Sequence, residues 1–161
     1  MKKFLFGFTM VVAMLVCVGA VHAQGGAAKT GPDATTLRDP DLEKDSVHNL
    51  EVARNYFRLK KAYVAALKRC EEIIAGNPNF ANLDEVLFIA GKSASLLADG
   101  KGKQKADLYV VFDGTNKKGL TPDEFRNGAR SYFIQLINEH PQSKFRPEAE
   151  AELQSFGPAK Q

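Results

Sequence analysis

The chain has 161 residues, 44% of them hydrophobic and 25% charged, which is one domain's worth of sequence with enough apolar material for a core. Its formal charge of +3 includes Lys2 and Lys3, and residues 1–23 contain no Asp or Glu, so the remainder sits close to neutrality. That balance excludes an overall electrostatic footprint for nucleic acid or for an anionic membrane surface.

Lys2-Lys3 leads into the apolar run FLFGFTMVVAMLVCVGAV and then into Val21-His22-Ala23, a cleavage triplet with a small last residue. Residues 1–23 therefore read as an export signal cut after Ala23, with a retained membrane anchor as the alternative. Cys17 follows Met14-Leu15-Val16, and Val16 is too bulky for a lipoprotein cleavage site, so no stable lipid anchor is expected. Cleavage removes Cys17 and leaves Cys70 alone. An exported chain then has no internal disulfide to make, and packing must supply its stability. Residues 24–38, QGGAAKTGPDATTLR, offer almost nothing to bury and read as a flexible leader.

From Asp39 the pattern turns helical. Asp39 as cap and Pro40 in the first turn open a helix in which Leu42, Val47, Leu50, Ala53 and Phe57 recur at helical spacing. A second helix over 61–75 carries Ala62, Ala66, Cys70, Ile73 and Ile74 on one face and ends at Gly76-Asn77-Pro78. Asn82, with Glu85 three residues on, is expected to cap a third. Its apolar positions are Val86, Leu87, Ala90, Ala94 and Leu97, and Asp99-Gly100 stops it. Residues 101–120 form an insertion: GKGKQK reads as polar and mobile, and LYVVF as a short strand or an apolar strap, two forms that so short a run does not distinguish.

Within FDGTNKKGLTPDEF, residues 112–125, lies the outline of a calcium loop. Such a loop needs oxygen ligands at its first, third and fifth positions, glycine at the sixth and a bidentate glutamate at the twelfth. Asp113 and Glu124 fit the ends, but Thr115, Lys117 and Lys118 hold the third, fifth and sixth, and two lysines oppose a cation. The same residues make a helix start: Thr121 and Glu124 as a capping box, Pro122 at the first helical position, and Leu120 and Phe125 as a hydrophobic staple. No metal and no cofactor is expected. The helix so begun runs over 122–139 with Phe125, Ala129, Phe133, Leu136 and Ile137 apolar, until His140-Pro141 ends it. A last helix begins at Pro147 and buries Ala149 and Leu153.

The second and fourth helices repeat one another. AYVAALKRCEEIIAGNP and EFRNGARSYFIQLINEHP match Ala66 with Ala129, Cys70 with Phe133, Ile73 with Leu136 and Pro78 with Pro141. In the first and third helices, Leu50, Ala53 and Phe57 stand beside Leu87, Ala90 and Ala94. The pattern is that of a tetratricopeptide-type helix pair used twice, the second copy split by the insertion, with about two and a half repeats over residues 39–156 in an all-α fold. VARNYFRLKKAYVAALKRCEEIIAGNPNF and ARSYFIQLINEHPQSKFRPEAEAEL together resemble the BamD-like family of bacterial outer-membrane assembly proteins, and EHPQSKFRPEAEAEL is the most family-like piece. The resemblance implies a periplasmic tetratricopeptide scaffold, possessing no catalytic residues, that binds proteins or peptides of the cell envelope during outer-membrane assembly. It departs from the family in lacking a lipoprotein signal and in having fewer repeats.

On the tetratricopeptide register the first helix of each pair lines the concave face, which implies partner-binding positions at His48, Glu51, Asn55 and Arg58 and at Glu85, Phe88, Lys92 and Ser95. Phe88 is unclaimed by the core register, so it either packs under the insertion or grips a peptide. Asn55 and Lys92 occupy the same register position, where some tetratricopeptide proteins clamp a C-terminal carboxylate. No nucleophile with a base, paired carboxylates or ligand cluster stands out. His48 and His140 lie on separate helices, Cys70 falls in a core slot, and Glu71, Glu72, Lys60 and Lys61 read as solvated faces. The alternative function is a periplasmic tetratricopeptide partner of cell-wall or division machinery. A calcium-responsive protein would have to bind metal through residues 113–124.

Overall fold

The computed structural model describes residues 39–157. The export signal and Cys17 expected within 1–23, and the leader over 24–38, lie outside the described residues. Five α-helices follow in chain order, α1 (Pro40–Arg54), α2 (Tyr63–Gly76), α3 (Leu83–Ala98), α4 (Pro122–Glu139) and α5 (Arg146–Ser155), with a two-stranded hairpin, β1 (Val110–Asp113) and β2 (Asn116–Gly119), between α3 and α4. The fold is all-α: each helix packs on its chain neighbour, and α1 also touches α3.

Asp39 caps α1, its Oδ1 accepting from the amides of Asp41 and Leu42, and Pro40 sits where an amide would go unused. The buried face of α1 is Ser46, Leu50 and Ala53, whereas Leu42 and Val47, expected in the core, are 46% and 41% exposed. Hydrogen bonds account for the shift. Asn77 Nδ2 donates to Ser46 Oγ at 3.1 Å, and the Ala81 amide donates to Glu43 Oε1 at 3.0 Å. This end of α1 is thus tied to the α2–α3 turn by polar groups, and the apolar stripe is not what orients it.

Beyond Arg54 the helix widens into a π-helical turn, Asn55–Lys60, which takes in one more residue per turn than an α-helix. It stops at Lys61, whose φ of 49° lies in the left-handed region that a non-glycine residue seldom adopts. Lys61 is therefore the break before α2 and not its first residue. The expected Asn82 cap of α3 does not form either; Asn82 makes no side-chain cap bond, and Glu85 is drawn to Arg54 instead.

The root of the insertion, expected to be polar and mobile, is hydrogen-bonded to the start of the second hairpin helix, α2. The Lys103 amide donates to Lys61 O at 2.9 Å, and Gln104 Oε1 accepts from the Ala65 amide at 3.0 Å, which caps the otherwise uncapped start of α2. Gly102, at φ 103°, lies so close to Tyr63 that a Cβ there would come within 2.5 Å of the ring. LYVVF divides: Leu108 closes a short 3-10 turn, Tyr109 is buried in the core, and Val110, Val111 and Phe112 enter the strand, with Val111 opposite Lys118 and Phe112 opposite Lys117. Gly114, at φ 60°, takes the first position of the two-residue turn, as such hairpins require.

Thr121 and Glu124 close the expected capping box: Thr121 Oγ1 accepts from the Glu124 amide at 3.2 Å, and the Thr121 amide donates to Glu124 Oε2 at 2.7 Å. Lys118 Nζ holds the other oxygen at 2.6 Å. Lys118 first, and then Thr121, pull the Glu124 carboxyl down to about 2.

The positions matched between the two helical hairpins are buried alike. Ala66 and Ala129, Cys70 and Phe133, and Ile73 and Leu136 are all buried. Asn77 and His140, each before a proline, end their helices in similar backbone conformations, with amides bonded to Ile73 O and Leu136 O. Between α3 and α4, Gly91 lets the backbones close up; a Cβ there would meet the fully buried Phe133 ring at 2.5 Å. Helix α5 covers the end of the stack with Ala149 fully buried and Leu153 packed at the core edge.

Candidate functional site

The eight positions expected on a concave face divide by surroundings. His48, Glu51, Asn55 and Arg58 are exposed along α1 and its π-helical extension. Glu85, Phe88 and Lys92 on α3 are engaged within the chain, and Ser95 is half-buried. Phe88 lies under neither the insertion nor solvent: it is 8% exposed, stacked on Phe145 at 4.8 Å and tilted against Phe133 at 6.4 Å. Lys92 Nζ pairs with Glu152 at 2.5 Å and Glu148 at 3.2 Å, so α5 occupies the place where a carboxylate clamp would act. Burial acts to lower the Lys92 pKa, and the two glutamates outweigh it and raise it.

What stays open are two pockets on either side of the α1–α3 contact. One, at the π-helical turn, is lined by Glu51, Arg54, Asn55, Arg58 and Leu59, and the other by the start of α3 and the α4–α5 connection, including Asp84, Glu85, His140, Lys144 and Phe145. Arg54 lines the first and Glu85 the second, and the two side chains are bonded to each other. Arg54 Nε and Nη2 donate to the two Glu85 oxygens, each at 2.7 Å, in a bidentate pair across α1 and α3. The Glu85 carboxyl is held below its ordinary range, by the Arg54 hydrogen bonds first and more weakly by the charges of Lys144 and Arg58. The pairing in turn raises the Arg54 guanidinium.

Arg58 and Lys144 form no ion pair among the described residues, and both act on Glu85, one from each pocket. Leu59, 75% exposed, supplies a large apolar side chain in the same pocket as Arg58. Sequence reasoning missed Leu59 and Lys144. Leu59 is turned outward by the π-helical turn, for which the sequence carries no glycine or proline signal, and Lys144 belongs to a connection rather than to a repeat helix.

Elsewhere the polar groups hold the structure together. Glu71, expected on a solvated face, accepts from Tyr109 Oη at 2.6 Å and Tyr132 Oη at 2.9 Å, joining α2, the insertion and α4. Burial, with Glu71 beside them, pushes both phenols up. Cys70 is buried and its thiol is pushed far up, chiefly by desolvation. Among the described residues no three His, Cys, Asp or Glu side chains cluster as metal ligands, and no helix is long and apolar enough to cross a membrane. No protein-family model, curated protein or solved structure matches the chain.

Proposed function

We propose that this chain is a non-enzymatic, exported scaffold of the tetratricopeptide kind that holds an extended segment of a cell-envelope protein, in the outer-membrane assembly role that the resemblance implies. The pocket at the π-helical turn supports this reading. It offers an exposed apolar side chain, Leu59, with Arg58 in the same pocket, and Lys144 lines the pocket on the other side of the Arg54–Glu85 pair; neither cation has an internal ion pair among the described residues. The Arg54–Glu85 pair fixes a side chain of each pocket, so an incoming segment meets a preorganised surface. The favoured segment carries an apolar side chain for Leu59 and an acidic group, or a chain-terminal carboxylate, for Arg58 and Lys144.

In-cell photocrosslinking from position 59, with mass spectrometry of the captured species, tests the role. Capture of outer-membrane barrel precursors or assembly proteins supports it. Capture of cell-wall enzymes or division proteins moves the same pockets to the alternative partner class.

A further inference from the structure

The insertion presents a second surface, independent of what the pockets hold. Residues 101–120 contain Lys101, Lys103, Lys105, Lys117 and Lys118 against Asp107 and Asp113, an excess of positive charge in a chain otherwise close to neutral. The same segment holds apolar groups that the fold turns outward, one of them beside a lysine. Strand alternation places Val111 toward the core, with Lys118 opposite it reaching Glu124. Phe112 and its cross-strand neighbour Lys117 therefore share the outer face; Phe112 is 68% exposed, Lys117 Nζ lies 5.9 Å from the Phe112 ring centre, and Leu108 at the hairpin's root is 57% exposed.

The base of this arm is rigidly held. Tyr109 is buried with its ring edge on Phe125 at 5.4 Å and its hydroxyl on Glu71, while Gln104 and Lys103 bond the start of α2. An arm held at its base that exposes an aromatic near its tip and a leucine at its root is not explained by packing, since neither Phe112 nor Leu108 covers the core.

We propose that this hairpin is a docking element for an anionic lipid surface, with Phe112 and Leu108 entering the headgroup region and Lys103, Lys105 and Lys117 meeting the lipid charges. A projecting apolar tip suits a soft interface that closes around it. Aromatic rings favour the headgroup depth, and lysine stems lie along apolar surface while their ammonium groups stay in water. The hairpin thereby supplies a weak membrane hold by a route other than a lipid anchor. Each lysine brought to such a surface is worth about a fivefold gain in partitioning, and high salt removes most of it.

The test uses the full chain with vesicles of phosphatidylcholine, either alone or with a quarter phosphatidylglycerol. The sequence contains no tryptophan, so Phe112→Trp places a single reporter at the tip. Its emission is expected to shift to the blue with the anionic vesicles and much less with the neutral ones. Sedimentation should show roughly hundredfold weaker partitioning for the triple variant Lys103→Glu, Lys105→Glu, Lys117→Glu, and a clear loss for Phe112→Ser, with melting curves unchanged because these side chains are exposed. Every variant keeps the same N-terminal run, so differences between them report the hairpin alone. An unshifted emission from the Phe112→Trp reporter, or vesicle binding indifferent to these substitutions, overturns the proposal. Crosslinking from position 112 in cells that yields an acidic protein and no lipid overturns it in favour of a protein dock.

Discussion

Gly91 and Gly128 both lie inside helices, yet the same substitution at the two sites should have opposite effects. At Gly128 an added methyl meets nothing within 4 Å, so Gly128→Ala should stabilise by about 1 kcal/mol through helix propensity alone. At Gly91 the methyl meets the Phe133 ring in a core that cannot yield, and overpacking of about 1–3 kcal/mol outweighs that gain. Thermal melts of the two variants should move in opposite directions; a rise for both would mean that α3 and α4 are not closely packed. Arg54→Met tests the pair between the pockets. It strands a nearly buried carboxylate and should cost about 2–4 kcal/mol at neutral pH. Because the folded Glu85 pKa is lowered, the pair contributes fully above the ordinary carboxylate range, and that contribution fades as pH falls through the lowered value. Stability of the wild-type chain should therefore fall toward that of Arg54→Met in acid, and an equal gap at pH 7 and pH 3 would refute this. Residues whose role is local were legible from sequence: Asp39, Thr121 and Glu124 form the caps their spacing implies. Ser46, Glu71 and Glu85 were not, since each acts through a partner more than 30 positions away.

Among the elements, α4 runs over the residues its capping box and terminal proline predict, because both its start and its stop signals are in the chain itself. The end of α1 was opaque for the converse reason. Nothing in Asn55–Lys60 distinguishes a π-helical turn from an α-helical one, and Lys61 enters the left-handed region under tertiary constraint. The contacts of α5 show how it would act as a cap: Phe145 stacks on Phe88, Glu148 and Glu152 hold Lys92, and Arg130 Nη1 donates to Gly157 O at 2.9 Å. Removing residues 143–161 uncovers Phe88 and Phe133 and should lower the melting temperature by about ten degrees or more, at about 2–8 °C per kcal/mol for domain sizes that bracket this one. An unchanged melting curve would show that the two hairpins stand without it. For the insertion, Gln104→Ala together with Tyr109→Ala should speed amide exchange across 103–119 while leaving α3 protected. Equal exchange in the double variant would mean that the hairpin is held by something else.

For the molecule as a whole, periodicity and the paired alanines made the all-α class and the two-hairpin arrangement readable, since Ala53, Ala66, Ala90 and Ala129 are all fully buried where helices meet. The near-neutral overall charge was a poor guide to surfaces. It averages a basic hairpin with acidic groups elsewhere, and only the fold shows which of them stand together. Of the positions expected on a concave face, those on α1 and its π-helical extension are exposed, whereas on α3 the C-terminal segment folds back onto Phe88 and Lys92, a contact that no spacing within α3 announces. The central claim is that the pockets on either side of the Arg54–Glu85 pair are where an envelope protein lies. Its most direct test is three-site photocrosslinking in cells, with the reactive residue at Leu59, at Lys144 and, as a control on the exposed flank of α4, at Ile134. The same envelope protein should be captured from positions 59 and 144 and not from 134. Capture from 134 alone, or unrelated species from 59 and 144, would contradict the claim.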